Sequence, residues 1–112
     1  MAESIDVLQG TLDLLILKAL TWGPMHGFEV SRWLLRTTDD AMAIEEGALY
    51  PALHRMERRK WLSSEWAVTE QGRRAKYYQL TREGRDQLRI QTTAWRRYVA
   101  VVDKIMAAAR AR

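Results

Sequence analysis

The stretch that decides the fold is residues 47–81, "GALYPALHRMERRKWLSSEWAVTEQGRRAKYYQLT". Its first part has apolar residues at helical spacing, which places Leu49, Leu53 and Met56 on one inward face of a helix. Tyr50 and His54 lie elsewhere around that helix and are free to face outward. The pattern therefore predicts an amphipathic helix with a polar, partly aromatic outer side.

Pro51 sets the expected start of this helix. Proline has no N–H to donate, so it is tolerated best in the first turn, where the N–H groups have no partner inside the helix. The sequence thus predicts that the helix begins near Gly47 or Ala48. Its free N–H groups, together with the positive end of the helix dipole, would then point outward.

The second part of the stretch predicts a β-hairpin. Apolar and polar residues alternate over residues 62–68 and again over residues 77–80. Gly72 allows a tight turn between the two runs. Three basic side chains crowd this turn, namely Arg73, Arg74 and Lys76. They are either simply solvated or they bind something negatively charged.

Two further helices precede this stretch. Apolar residues recur at helical spacing from Leu12 to Leu20, Thr11 is a plausible N-cap, and Gly23–Pro24 ends the helix. A second helix is expected at about residues 27–36, followed by a polar connection with a short extended piece at residues 43–45. Four tryptophans are expected in or at the edge of the core: Trp22, Trp33, Trp61 and Trp66.

This order of elements predicts a winged helix-turn-helix of the α+β, mainly α class. The second and third helices form the turn motif, and the hairpin forms a two-stranded wing. In that geometry the outer face of the third helix enters the major groove of DNA. The wing reaches adjacent phosphates or the minor groove, with strong salt dependence and little sequence information.

A long last helix follows the hairpin, with Thr81 as its N-cap and Glu83 in its first turn. Its apolar residues follow spacings of four and three, the seam of a coiled coil: Leu88, Thr92, Trp95, Val99, Val102, Met106 and Ala109. The seam either packs back on the first helix of its own domain or pairs with a second copy, and self-association is preferred because one small domain cannot cover it. The expected dimer interface is Leu12, Leu88, Trp95, Val99, Val102 and Met106. The chain thus divides into a DNA-binding unit, residues 1–81, and a dimerisation helix, residues 82–112.

Composition narrows the possible functions. The 112 residues contain no cysteine, 47% hydrophobic and 29% charged residues, and a net charge of +4. Residues 1–50 hold three basic and eight acidic side chains, whereas residues 51–85 hold nine basic and four acidic ones. This asymmetry favours a polyanion partner. The acidic N-terminus resembles no secretory signal, and the longest apolar run is too short for a membrane span, so a cytoplasmic protein is expected.

Catalysis and metal binding are not expected. Neighbouring carboxylates at Asp39–Asp40 and Glu45–Glu46 lie in polar connections, where capping or solvation explains them. The two histidines have no cluster of ligands around them, and no serine has the glycines of a nucleophile elbow. The rival interpretation is a basic module that docks an RNA or a protein, since a winged helix serves either use. No cofactor is expected.

Several motifs in this chain resemble the PadR-like transcriptional regulators of bacteria. They are "GTLDLLILKAL", "HGFEV", "GALYPALHRMER", "WLSSEW" and "GRRAKYYQLTREGR", and they cover essentially the whole chain. The single C-terminal helix suggests the compact branch of the family. The resemblance implies a homodimeric winged helix-turn-helix that represses until an effector binds. This chain departs from the family pattern at Ala48, where Thr or Ser is usual, and at Phe28, where Tyr is common.

Matching motifs imply where double-stranded DNA is contacted. The implied contact positions are Ala48, Tyr50, Pro51, His54 and Arg55 on the third helix, and Arg73, Arg74 and Lys76 on the wing. Alternatively, Tyr50 packs on its neighbours at the helix surface, and His54 is only a surface residue. In some relatives a tryptophan in a stretch similar to "AWRRYVAVVDKI" lines a cavity between subunits and stacks on flat hydrophobic compounds. By that likeness Trp95 and Val99 are candidates for an effector pocket. Alternatively, Trp95 simply fills the dimer interface.

Overall fold

The computed structural model describes residues 10–110, which form four α-helices, a short 3-10 helix at Leu20–Trp22 and a small antiparallel sheet. The elements in chain order are α1 (Leu12–Ala19), β1 (Met25–His26), α2 (Gly27–Thr37), α3 (Glu46–Arg58), β2 (Leu62–Val68), β3 (Arg74–Leu80) and α4 (Arg82–Ala107). The sheet order is β1-β3-β2. This arrangement confirms the mainly α winged helix-turn-helix fold expected from the sequence.

The core lies between α1, α2, α3 and the inner face of the sheet. Its fully buried side chains include Ile16, Leu17, Val30, Leu49, Leu53, Met56, Leu62 and Tyr78. The inward face predicted for the third helix is therefore confirmed, and Ile16 and Leu17 come from the apolar run expected for the first helix. Burial of such side chains is the main favourable term in folding a domain of this size.

The wing is the β2–β3 hairpin, in which Leu62 pairs with Leu80 at the base and Val68 with Arg74 at the tip. A third strand, β1, was not expected from the sequence. Its two residues pair with β3 on the side away from β2, with Met25 opposite Tyr78. So short a segment between Pro24 and a helix has no periodicity to reveal it.

Two local expectations were wrong. Helix α3 begins at Glu46, so Pro51 lies in its second turn and not its first, and the Gly47 carbonyl loses its usual donor. The short piece before this helix forms no strand, although Glu45 has the extended backbone that was expected there. Trp22 and Trp66 are 70% and 55% exposed instead of lying at the core.

Helix α4 is joined to the wing through Gly84. The Thr81 side chain caps the helix by accepting from the Gly84 N–H at 3.0 Å, which confirms the predicted N-cap. A Cβ at position 84 would lie 2.0 Å from the carbonyl oxygen of Trp61. Because the obstacle is backbone, the close approach of α4 to the base of β2 requires glycine.

We expect Gly84→Ala to lower the free energy of unfolding by roughly 1–3 kcal/mol, since the added methyl group would force α4 and Trp61 apart. Chemical denaturation followed by circular dichroism measures this loss. Gly47→Ala is the matched control because open space surrounds that position on α3, and alanine there should be neutral or stabilising. Equal stability of the two variants would contradict the packing argument.

Candidate nucleic-acid interface

One exposed strip of α3 consists of residues that are spaced about one helical turn apart. Ala48, Pro51 and His54 are all exposed and follow the helical repeat. Gly47 and Arg58 extend the same exposed strip, although the sequence did not single them out for this role. The strip is not covered by any other element in the described part of the chain.

Tyr50 lies at the edge of this strip and is half-buried. Its ring packs across Gly27, the first residue of α2, so closely that a Cβ there would lie 2.6 Å from Tyr50 Cε1. The glycine allows the start of α2 to approach α3 at this point. Tyr50 therefore combines a packing role between the two helices with a partly exposed ring.

The start of α2 is fixed by His26. Its Nδ1 accepts from the Glu29 N–H at 3.3 Å, and its own N–H donates to Glu29 Oε1 at 3.2 Å. This reciprocal capping box satisfies two N–H groups at the helix start. The His26 ring also makes an edge contact with Tyr77 of β3, with 5.2 Å between ring centroids. In the sequence, the spacing His-x-x-Glu is the signal for this capping box. It is easily missed because histidine is an unusual N-cap residue.

The tip of the wing is a tight turn. The Thr69 N–H donates to the Arg73 carbonyl at 2.7 Å, and the Gly72 N–H donates to the Thr69 carbonyl at 2.9 Å. Gly72 has a φ of 82°, a conformation that favours glycine. Arg73 and Arg74 are both exposed, and the Arg74 guanidinium lies 4.8 Å from the centroid of the Trp66 ring.

Lys76 connects the wing to α3. Its Nζ binds Glu57 Oε1 at 2.9 Å, and the Ser64 hydroxyl donates to the other oxygen of the same carboxylate. The hydrogen bond from Ser64 and the ion pair with Lys76 lower the pKa of Glu57, and the Glu57 carboxylate raises the pKa of Lys76. Glu57 thus holds both strands of the hairpin against α3.

Arg55 also lies in an ion pair. Its guanidinium donates to Asp13 of α1, and the two side chains are 39% and 18% exposed. The sequence placed Arg55 and Lys76 among the DNA contacts, whereas both side chains already bind carboxylates of their own chain. Arg73 and Arg74 have no carboxylate within ion-pair distance among residues 10–110.

A groove of ≈ 720 Å³ runs between α3, the start of α2 and the wing. It brings together most of the expected DNA contacts, with Tyr50 and His54 on one side and Arg73, Arg74 and Lys76 on the other. Ala48, Pro51 and Arg55 are not among its lining residues. The groove is therefore the place where the two expected contact elements meet.

A second cleft, of ≈ 690 Å³, lies between α1 and α4. Trp95 lines it together with Tyr98, and their ring centroids are 6.2 Å apart. Asp13 and Arg59 line the same cleft. Val99, the other expected pocket residue, is half-buried on α4 and is not among the lining residues.

The apolar residues of α4 fall into two neighbouring strips. Leu88 packs against the core of its own chain, as does Leu12 of α1, while Trp95, Val99 and Val102 are half-buried. A second strip, which the sequence did not predict, is exposed: Ile90, Tyr98, Val101 and Ile105. Met106 is 78% exposed near the end of the helix.

Other kinds of site are not found in the described residues. Within residues 10–110, His, Asp and Glu side chains form no group of three that could hold a metal ion. None of the helices described there has the length and apolar content needed to cross a membrane. The charged groove on α3 and the wing and the cleft beside α4 remain the candidate sites.

Comparisons with known proteins agree with the fold described above. The model of the transcriptional regulator PadR-like family matches residues 16–90. An uncharacterized protein of Lysinibacillus sphaericus is 26% identical over 101 residues, which cover 90% of this chain and 93% of that protein.

Two solved structures are also similar. A transcriptional regulator from Clostridium thermocellum has a TM-score of 0.81 and 30% identity, covering 89% of this chain and 97% of that one. A PadR family transcription regulator from Clostridium difficile R20291 has a TM-score of 0.75 and 32% identity, covering 88% of this chain and all 100% of that one. These relatives are regulators and not enzymes, in agreement with the sequence.

We expect Glu57→Gln to lower stability at neutral pH by about 1 kcal/mol and to weaken its acid dependence. The pKa of Glu57 is lowered from 4.5 in the folded state, so the ionised group stabilises the fold above that value. This contribution is lost as the pH falls through the lowered folded-state pKa. Urea unfolding from neutral to acid pH should therefore show wild type and variant converging at acid pH.

Glu65→Gln is the matched control, because it removes the same charge from a residue that is exposed on β2. Its stability difference from wild type should be small throughout. A constant gap between wild type and Glu57→Gln across the whole range would show that the Glu57 ion pair does not hold the wing.

Proposed function

We propose that this chain, which belongs to the PadR-like family of transcriptional regulators, is a homodimeric repressor that binds one operator in double-stranded DNA and is released by a small-molecule effector. Its family makes it a DNA-binding regulator of transcription. The observation that supports the proposed interface is the groove in which Tyr50 and His54 of α3 face Arg73 and Arg74 of the wing. A regulator of this kind acts in the cytoplasm, on the nucleoid.

In this proposal α3 reads the sequence and the wing supplies affinity. Ala48, Pro51 and His54, with the exposed edge of Tyr50, would face base edges in the major groove. Arg73 and Arg74 are exposed and free of ion pairs with described carboxylates, which suits them to phosphate contacts. Such contacts strengthen binding to every duplex alike and make it dependent on salt.

Arg55 and Lys76 are proposed to position the interface and not to supply its main charge. Arg55 ties α3 to α1 through Asp13, and Lys76 ties β3 to α3 through Glu57. Moving either cation to a phosphate would leave a partly buried carboxylate without its partner. We infer that both pairs persist when DNA is bound, which keeps the reading helix and the wing at a fixed separation.

Dimerisation is proposed to use α4. Its apolar residues Val102 and Met106, and the neighbouring exposed strip of Tyr98, Val101 and Ile105, form a face that the described part of its own domain leaves uncovered. A two-fold pairing of such faces would bring two copies of α3 to successive major grooves, about 34 Å apart. The expected interface residues Leu12 and Leu88 would contribute mainly through packing in their own chain.

The cleft beside α4 is proposed to receive the effector, a flat hydrophobic compound that stacks on Trp95. Its volume suits a small molecule, and Trp95 and Tyr98 offer ring faces. Val99 would contribute from the adjacent interface. Asp13 lines this cleft and also binds Arg55 of α3, so a compound bound there would act on the element that anchors the reading helix.

We expect the double variant Arg73→Ala, Arg74→Ala to weaken binding to all duplexes by a similar factor. Each lost phosphate contact should reduce the slope of log affinity against log salt by about 0.9. Fluorescence polarisation measures this, with DNA from upstream of the protein's own coding region and a scrambled duplex, across a salt series.

Arg82→Ala with Arg85→Ala is the matched control. It removes the same charge from exposed positions in the first turns of α4. An unchanged salt slope in the wing variant would contradict the wing assignment. Equal and weak binding of wild type to both duplexes would favour a basic module for RNA or protein over an operator-reading repressor.

We expect Val102→Glu with Met106→Glu to convert the dimer to a monomer, because it would bury four carboxylates in the paired face. Sedimentation velocity measures the mass. Lys104→Glu makes the same change in charge on another side of α4, and should remain a dimer. A dimer of unchanged mass in the double variant would rule out this face as the interface.

A further inference from the structure

We propose that the groove between α3, the start of α2 and the wing is itself a ligand site for flat aromatic anions, which exclude DNA by direct competition. The groove has a volume of ≈ 720 Å³, within the range of small-molecule pockets. This site is separate from the cleft at Trp95. It rests on the proposed function only for the competition with DNA, and not for the binding of the anion.

The walls of the groove are unusually aromatic for a surface that only touches phosphates. Tyr78 is buried, His26 and Tyr50 are half-buried, and Phe28 and Trp66 are 57% and 55% exposed. Exposed ring faces at a recess favour stacking with another flat ring. These rings are held in place, because His26 is fixed by its capping box and Tyr50 packs on Gly27.

The charges around the groove select an anion. Arg73, Arg74 and Lys76 line it, and no Asp or Glu lines it in residues 10–110. Glu57, outside the lining, offsets the charge of Lys76 through their ion pair. Arg73 and Arg74 therefore remain as uncompensated cations.

The Arg74 guanidinium already lies over the Trp66 ring. If the ring of the ligand stacked beside Trp66, the acidic group of the ligand would lie within reach of this guanidinium. The ligand would thus be held by stacking and by charge together.

The position of the groove makes its ligand a competitor of DNA. Its two sides are the elements proposed to contact DNA, with His54 on α3 and Arg73 on the wing. A compound between them occupies the space that the duplex must enter, and it binds the cations that are proposed to contact phosphates. An effector in the cleft at Trp95 would instead lower DNA affinity only to a limiting value, since both ligands can bind at once.

The binding test uses the full chain labelled with nitrogen-15 and titrated with 2-naphthalenesulfonate. We expect saturable shifts of the backbone N–H signals of Gly27, Phe28, Ala75 and Lys76. The uncharged analogue 2-naphthalenemethanol should bind about fivefold more weakly. Shifts confined to residues around Trp95, or equal affinity for the two compounds, would overturn the anion site.

Two arginine variants give a matched pair. Arg74 stacks on Trp66 at 4.8 Å in the groove, and Arg59 stacks on Trp61 at 5.2 Å beside the other cleft. Arg74→Gln should weaken binding of 2-naphthalenesulfonate about fivefold, whereas Arg59→Gln should leave it unchanged. The reverse result would place the anion in the cleft beside α4 and overturn the proposal.

Competition is measured by fluorescence polarisation with labelled duplex at increasing concentrations of 2-naphthalenesulfonate, at constant ionic strength. We expect the apparent Kd for DNA to rise in proportion to the anion without reaching a plateau. A plateau, or no change at saturating anion, would overturn direct competition. Failure of every duplex to bind would count against the proposed function, while the shift map judges the anion site by itself.

Discussion

The carboxylate of Glu57 is the contact on which the surface formed by α3 and the wing depends. It accepts from Ser64 on β2 and Lys76 on β3, so one side chain of α3 holds both strands of the wing. A winged helix contacts DNA with two separate elements, and their spacing must match a groove and its flanking phosphates. Within the chain itself, Glu57 therefore ties both strands of the wing to α3.

Acidic side chains divide the basic residues of this surface into two classes. Glu57 forms an ion pair with Lys76, and Asp13 forms one with Arg55. Both cations are half-buried. Arg73 and Arg74, at the tip of the wing, are left available to a polyanion. Net charge alone does not separate these classes, because it counts a paired cation and an unpaired one equally. The division follows from the distance of each cation to a carboxylate of its own chain.

The aromatic residues show a similar division between packing and exposure. Trp33 and Trp61 pack against the core, whereas Trp22 and Trp66 are exposed. Each of the four directly follows a polar or charged residue, namely Thr21, Arg32, Lys60 or Glu65, so their local patterns do not separate them. Strand β2 extends beyond the helices that cover its base, and Trp66 lies in the uncovered part. Its exposure reflects the length of the wing and not the preference of tryptophan for burial.

The sequence by itself determined the order of the four helices and the hairpin, the inward face of α3, the Gly72 turn and the Thr81 cap of α4. These features depend on neighbours a few residues apart, where periodicity and local hydrogen bonds decide the outcome. Only the tertiary structure decided that β1 joins the sheet, that Arg55 binds Asp13, and that Leu88 of α4 packs against the core of its own chain. Each of these depends on atoms distant in sequence, whose approach is set by how helices and strands pack. The local sequence pattern contains no information about how closely such atoms approach one another.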